Sequence, residues 1–258
     1  MFLTRAERRR RRRRRRLAFL LAAAVSLTAW AAVAQSGRAH PGQRRGTPAG
    51  GAASLGGRPA SPGAPGSQGA TGPGTRSAGA GLAWAGFHGI QLPVSAQDGP
   101  RRTRGGLAWG FTDTPRGALL AAVNIAVRTG AQWGPAIYQP TIRDQVTGPD
   151  AAALLKADAS DYAALRAAAR VRPGQPAGRG YAAEAGYRFV ACTPAGATVD
   201  IVTEGPGSGG TTVMVATRVQ VVWLRGDWRV VAPPGGDWAN SATAISSLTG
   251  YTTFPNEG

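Results

Sequence analysis

The chain has one cysteine, Cys192, one lysine, Lys156, and two histidines, His40 and His88. A lone cysteine forms no intramolecular disulfide, so export to an oxidising compartment would bring no covalent staple. Cys192 lies in the apolar run from Tyr187 to Thr193 and reads as a buried core thiol. Neither histidine stands in a catalytic signature with it. His, Cys and carboxylates at metal-ligand spacing are lacking, so the sequence predicts no metal and no other cofactor. His88, in Phe87-His88-Gly89, reads as a surface or packing histidine. Asp158 and Asp161, three positions apart on a polar helix face, read as solvated charges. Such sparse acid–base equipment points away from catalysis.

Negative charge is scarce in the first part of the chain. The net charge is +17. Residues 1–106 hold 18 basic residues against only Glu7 and Asp98, whereas residues 107–258 hold 12 basic and 11 acidic residues. The basicity therefore belongs to an N-terminal tail and linker, and the remainder is close to neutral. This distribution argues against a nucleic-acid-binding domain, whose basic residues would stripe a folded face.

Nine of the arginines are consecutive: Arg8, Arg9, Arg10, Arg11, Arg12, Arg13, Arg14, Arg15 and Arg16. They run into 18 uncharged residues, Leu17 to Ala34, with Ser26 and Thr28 as the mild polar interruptions. At about 1.5 Å per residue a helix of this length spans roughly 27 Å, enough for a thin hydrocarbon core. The arginines hold the N-terminus in the cytoplasm and direct everything after Ala34 outward, and they attract anionic lipid headgroups. Ala32-Val33-Ala34 has the small-x-small form of a cleavage site, so a cleaved signal peptide is the alternative. The length of the apolar stretch favours a retained anchor. Arg15-Arg16 also resembles a twin-arginine signal, although any poly-Arg run supplies that pair.

Residues 35–81 contain 14 Gly and 6 Pro, no aromatic residue and almost no large aliphatic one. Such a segment buries too little to offset the entropy of ordering and reads as a flexible tether. Gly63, Gly66, Gly69 and Gly72 fall every third residue, but four triplets are too few for a collagen helix. Four regions follow: a cytoplasmic tail at 1–16, a transmembrane helix or signal at 17–34, a linker at 35–81 and an exported domain at 82–258.

Within the domain, Arg101-Arg102-Thr103-Arg104 and Gly105-Gly106 suggest a surface loop. Thr114-Pro115 marks a helix start, followed by Leu119, Leu120, Val123, Ala126 and Val127 at helical spacing to about Gly130. A second helix is expected over Tyr138 to Val146 and a third from Gly148-Pro149-Asp150 to Pro173. From Arg179 the period becomes two. Strands are expected over Tyr181–Thr193, Thr198–Glu204, Thr211–Leu224 and Asp227–Ala232, joined by short turns into an antiparallel meander. The expected class is α+β: N-terminal helices on a curved four-stranded antiparallel sheet.

Two motifs inside this pattern can be set aside. Gly205-Pro206-Gly207-Ser208-Gly209-Gly210 joins two strands and lacks the Gly-Lys-Ser/Thr ending of a phosphate cradle. Arg225-Gly226-Asp227 spells an adhesion tripeptide, yet a two-residue turn demands glycine there on geometric grounds. Tyr138, Asp144 and Tyr162 are candidates to line a pocket.

The Trp223-Leu224-Arg225-Gly226-Asp227-Trp228 hairpin, after helices and within a long-stranded sheet, resembles the cone-shaped fold of the nuclear-transport-factor and cystatin-like group. With an Arg-rich N-terminus and one membrane segment ahead of it, the order resembles the bitopic assembly proteins of conjugation and type IV secretion, including TcpC-like proteins of Gram-positive bacteria. Gly110-Phe111-Thr112-Asp113-Thr114-Pro115-Arg116-Gly117-Ala118 is similar to a segment of actinobacterial membrane proteins found near mobile elements. The resemblance covers about residues 82–258 and implies a scaffold without catalytic residues. It implies a membrane-anchored interaction module whose partners are lipid headgroups and other membrane or secretion-apparatus proteins, with self-association allowed and nucleic acid not expected. A surface enzyme or small-ligand-binding domain is the alternative. The tail aromatics Trp238, Tyr251 and Phe254, beyond the last expected strand, are the candidate partner-binding residues.

Overall fold

The computed structural model describes residues 81–255. The arginine block Arg8–Arg16, the apolar segment 17–34 and all of the linker except Gly81 lie outside the described residues. Two hairpins come first: β1 (Ala83–Phe87) with β2 (Ile90–Val94), and β3 (Arg102–Arg104) with β4 (Leu107–Trp109). The helices α1 (Pro115–Arg128) and α2 (Pro135–Gln145), the short strand β5 (Val146–Thr147) and helix α3 (Ala151–Ala169) follow. The long strands β6 (Ala183–Thr193), β7 (Gly196–Pro206) and β8 (Thr212–Leu224) lead to β9 (Asp227–Val231). Two short strands, β10 (Ala242–Ile245) and β11 (Thr252–Thr253), close the chain.

Local chemistry explains the start of α1. The Thr114 hydroxyl accepts the Gly117 N–H at 3.0 Å, and Pro115 occupies the first turn, where its missing N–H costs nothing. The helix then places Leu119, Leu120, Val123 and Ile125 in the core, each at most 1% exposed. In β8, Val219 and Val221 face the core while Arg218 and Gln220 are exposed, the period-two alternation of a half-buried strand. The β8–β9 turn places Arg225 and Gly226 at φ of 53° and 80°. Two positive φ values in a two-residue turn suit the right-handed twist of the flanking strands.

The sheet corrects the expected architecture. It has seven strands in the order β11-β6-β7-β8-β9-β5, with β10 also paired to β8, and it is mixed because β5 runs parallel to β9. The four-stranded antiparallel cone with helices at its N-terminal side is therefore not the fold. The central meander lies where period-two patterning placed it, but short strands extend it at both margins. Strand β8 is long enough to hold two partners along one edge, β9 at Val221–Leu224 and β10 at Met214–Thr217. The hairpins, not the helices, lead the domain. The expected loop around Arg102–Arg104 and Gly105-Gly106 is itself the β3–β4 hairpin. The C-terminal segment supplies two of the strands. Among the described residues no helix is long and apolar enough to cross a membrane, and the segment expected to do so lies outside them.

Candidate functional site

A cavity of about 260 Å³ opens between the two leading hairpins, the C-terminal half of α1 and the start of α2. Its apolar walls include Phe87, Leu92, Val94, Leu107 and Ile137. Gly106 closes one side, with φ of +86°. A Cβ there would lie 2.7 Å from the Ile137 backbone, so only glycine lets the β3–β4 turn approach α2 this closely.

Polar side chains reach the cavity from two places, Thr103 and Arg104 on β3 and one turn of α1. Asn124 and Arg128 stand four apart on α1, which places both side chains on one face. Asn124 is fully buried, and its amide nitrogen donates to the carbonyls of Pro93 at 2.9 Å and Leu120 at 3.0 Å. Its Oδ1 accepts from Nη1 of Arg128 at 2.9 Å, and Nη1 also donates to the Asn124 carbonyl at 2.8 Å. Arg128 is 6% exposed and lines the cavity. The Phe87 ring covers one face of its guanidinium, with Cζ 4.5 Å from the ring centroid.

No carboxylate pairs with this buried cation among the described residues; the ion pairs Arg116–Asp98, Arg188–Asp200 and Arg218–Asp200 lie elsewhere. Burial pulls the Arg128 guanidinium down to about 10, so it remains charged at neutral pH. A guanidinium carries five N–H donors. Nη1 uses its two on Asn124, and Nε and Nη2 form the edge left over. His88 packs edge-on against Phe87 at 4.7 Å and tilted over Trp133 at 5.4 Å. Its imidazole is held below the usual histidine range, first by burial and then by the nearby Arg128 charge. It lies beside the cation against two aromatic rings and is itself exposed.

The residues singled out from sequence are dispersed. Phe254 is buried, with its ring 5.0 Å from that of Tyr187 and 5.9 Å from that of Trp84. Trp238 is half-buried and donates from Nε1 to the Thr129 hydroxyl at 3.0 Å. Tyr251 is half-buried beneath the Arg188 guanidinium, 4.7 Å from its ring centroid. These three aromatics fasten the C-terminal segment to the domain and form no common patch. Arg8–Arg16 lie outside the described residues. Cys192 is exposed on β6, contrary to the expected core position, because the end of that strand from Val190 to Thr193 is exposed on both faces. The glycine-rich segment after β7 is a strand connection, with Gly207 N–H donating to the Thr211 carbonyl.

Two carboxylates differ from their sequence reading. Asp158 is not solvated but 9% exposed, on the face it shares with Leu154 and Tyr162. Its Oδ2 has no hydrogen-bond partner among the described residues. Burial, with Asp161 and Asp237 nearby, pushes its carboxyl up to about 8. Asp227 of the tripeptide is 8% exposed and holds backbone amides, so it offers no adhesion carboxylate. Tyr138 and Tyr162 pack against each other at 6.1 Å, and Asp144 is exposed, so the three do not line a common pocket.

Sequence reasoning missed Asn124 and Arg128. The signal was present: a polar residue and a cation four apart, inside a helix whose neighbouring positions are Leu, Val and Ile. Arg128 at a helix C-terminus is ordinarily a partner of the helix dipole, so its position alone does not mark it as buried.

An α+β domain with a mixed sheet, two leading hairpins and a cation-bearing cavity is the class the geometry defines. The chain belongs to the family described as a domain of unknown function, DUF8175, whose model matches residues 43–253. No curated protein and no solved structure matches the chain.

Proposed function

We propose that this chain is a membrane-anchored interaction module whose folded domain is displayed outside the cytoplasmic membrane. The tether is supported by the Arg8–Arg16 block ahead of the uncharged stretch 17–34. The setting we propose is the apparatus of conjugation or type IV secretion. The order of arginine block, apolar segment and exported domain supports it; sheet topology does not.

The observation that carries the interaction reading is the outer edge of β6. Strand β11 pairs only with Gly186 and Tyr187, and the Phe254 N–H reaches the Ala185 carbonyl. From Arg188 to Thr193 that edge faces no strand among the described residues. Val190 is 48% exposed there, and Cys192 is exposed beside it. An open edge presents backbone N–H and C=O groups to an added strand, and Val190 and Cys192 give it apolar contact. Of the buried carboxylates, Asp98, Asp200 and Asp227 are occupied in fastening the fold.

The test uses the lone thiol. A short photoreactive cross-linker is attached to Cys192 of the full-length protein in the membranes of its own cells, with Cys192→Ser as control. The reading expects a Cys192-dependent adduct with a membrane component of the apparatus, identified by mass spectrometry. Recovery of no adduct, or of lipid adducts only, contradicts it.

A further inference from the structure

We propose that the cavity around Arg128 is a binding site for a small organic monocarboxylate with a short apolar or aromatic tail. The inference goes beyond the tethering and edge-docking reading and does not depend on it.

A buried charge is ordinarily paired, because taking an ion out of water without compensation costs several kcal/mol. Arg128 has neutral acceptors on one nitrogen and the Phe87 ring on one face, and neither cancels its charge. The Nε–Nη2 edge has no protein partner among the described residues, and an anion that reached it would supply the missing counter-charge. That edge is the planar fork that a carboxylate engages with two parallel hydrogen bonds. The Phe87 ring and the two Nη1 bonds hold the guanidinium plane, so little side-chain entropy remains to be lost on binding.

Charge balance selects among anions. A monocarboxylate neutralises the single deep cation. A phosphate dianion would leave net negative charge among Leu92, Val94, Leu107 and Ile137, where desolvation is most costly. Arg104 also lines the cavity, but its side chain is exposed and its charge is screened by solvent. The apolar walls require a hydrocarbon portion on the ligand. Asn124 is committed to Pro93, Leu120 and Arg128 and therefore acts as a positioning residue for the guanidinium.

Binding is measured by equilibrium dialysis of the full-length chain in detergent with sodium phenylacetate, benzoate and hexanoate. Benzyl alcohol and inorganic phosphate are the neutral and inorganic comparisons. The arginine tail is the same in every variant, so any anion binding there cancels between them. The wild type should show a saturable one-to-one component for at least one acid. Arg128→Met should weaken that component at least tenfold with an unchanged melting curve, and Arg128→Lys, which keeps the charge but loses the fork, should weaken it less. Ala85→Phe, at an exposed position on the cavity wall, should abolish it while sparing the fold, and it decides the matter if Arg128→Met does not fold. The proposal is overturned if no acid gives a saturable component. It is overturned equally if benzyl alcohol or phosphate binds as tightly as the best acid, if folded Arg128→Met binds like the wild type, or if Ala85→Phe leaves binding unchanged.

Discussion

The Asp227 carboxylate accepts the backbone N–H of Gly110 at 2.8 Å, joining positions 117 residues apart in sequence. Its second oxygen accepts from Phe111 at 3.3 Å and from its own neighbour Trp228 at 2.9 Å. The last hairpin is thereby pinned to the segment between β4 and α1. Trp228 adds to the joint, since its indole Nε1 donates to the Thr112 carbonyl at 2.8 Å and the side chain is 1% exposed.

Asp227 is therefore a structural anchor, and its turn position on the β8–β9 hairpin does not make it dispensable. Asp227→Ala should cost roughly 3 kcal/mol, because it strands buried amides that had a charged acceptor. Trp228→Ala should cost roughly 3–5 kcal/mol, and the half-buried Trp223→Ala less. Urea denaturation of the three variants checks this; an Asp227→Ala cost below about 1 kcal/mol would remove the anchor.

Asp158 gives stability a pH dependence of unusual sign for a carboxylate. Its folded value of about 8 lies above the ordinary 3.8, so the folded protein holds a proton that the unfolded chain releases. This contribution is neutral below about pH 4, and it lowers stability progressively as pH rises from about 4 to 8. Asp158→Asn should therefore stabilise the domain by about 2–5 kcal/mol at pH 8 and by almost nothing at pH 4. Melting curves at both pH values decide it. An Asn variant no more stable at pH 8 than at pH 4, relative to wild type, would mean that Asp158 is ionised and solvated.

Removal of the C-terminal segment from Ala242 onward deletes two strands of the sheet and the buried Phe254. The truncated chain should lose a cooperative thermal transition, since β8 and β6 would each expose a paired edge and Tyr187 and Trp84 would lose their contact with the Phe254 ring. A cooperative transition within a few degrees of wild type would show instead that the segment is an appendage.

The legibility of the fold followed element length. Val213, Val215, Val219 and Val221 give β8 a period too regular to miss, and Thr114-Pro115 announces α1 by its capping chemistry. Strands β5 and β11, two residues each, cannot display a period at all, and β10, Ala-Thr-Ala-Ile, is too short to show one clearly. They exist because longer strands offer them an edge, which is tertiary information. The hairpins before α1 were masked by glycine and arginine, which read as loop. Asp158 was legible in retrospect: Leu154, Asp158 and Tyr162 recur every four residues, so one helical stripe carries all three, and the charge of the middle one drew it wrongly to the solvent side. Arg128 and Phe87 are 41 positions apart, and no local pattern brings them together.

The central claim, that the folded domain lies outside the cytoplasmic membrane on an arginine-flanked anchor, is tested most directly at Cys192. The thiol is exposed, and the chain has no other. Full-length protein is produced in intact cells of a host lacking the proposed apparatus, and a membrane-impermeant maleimide is added before or after lysis. The account predicts labelling of Cys192 in intact cells to nearly the level reached after lysis. Labelling that appears only after lysis would place the domain in the cytoplasm and contradict it.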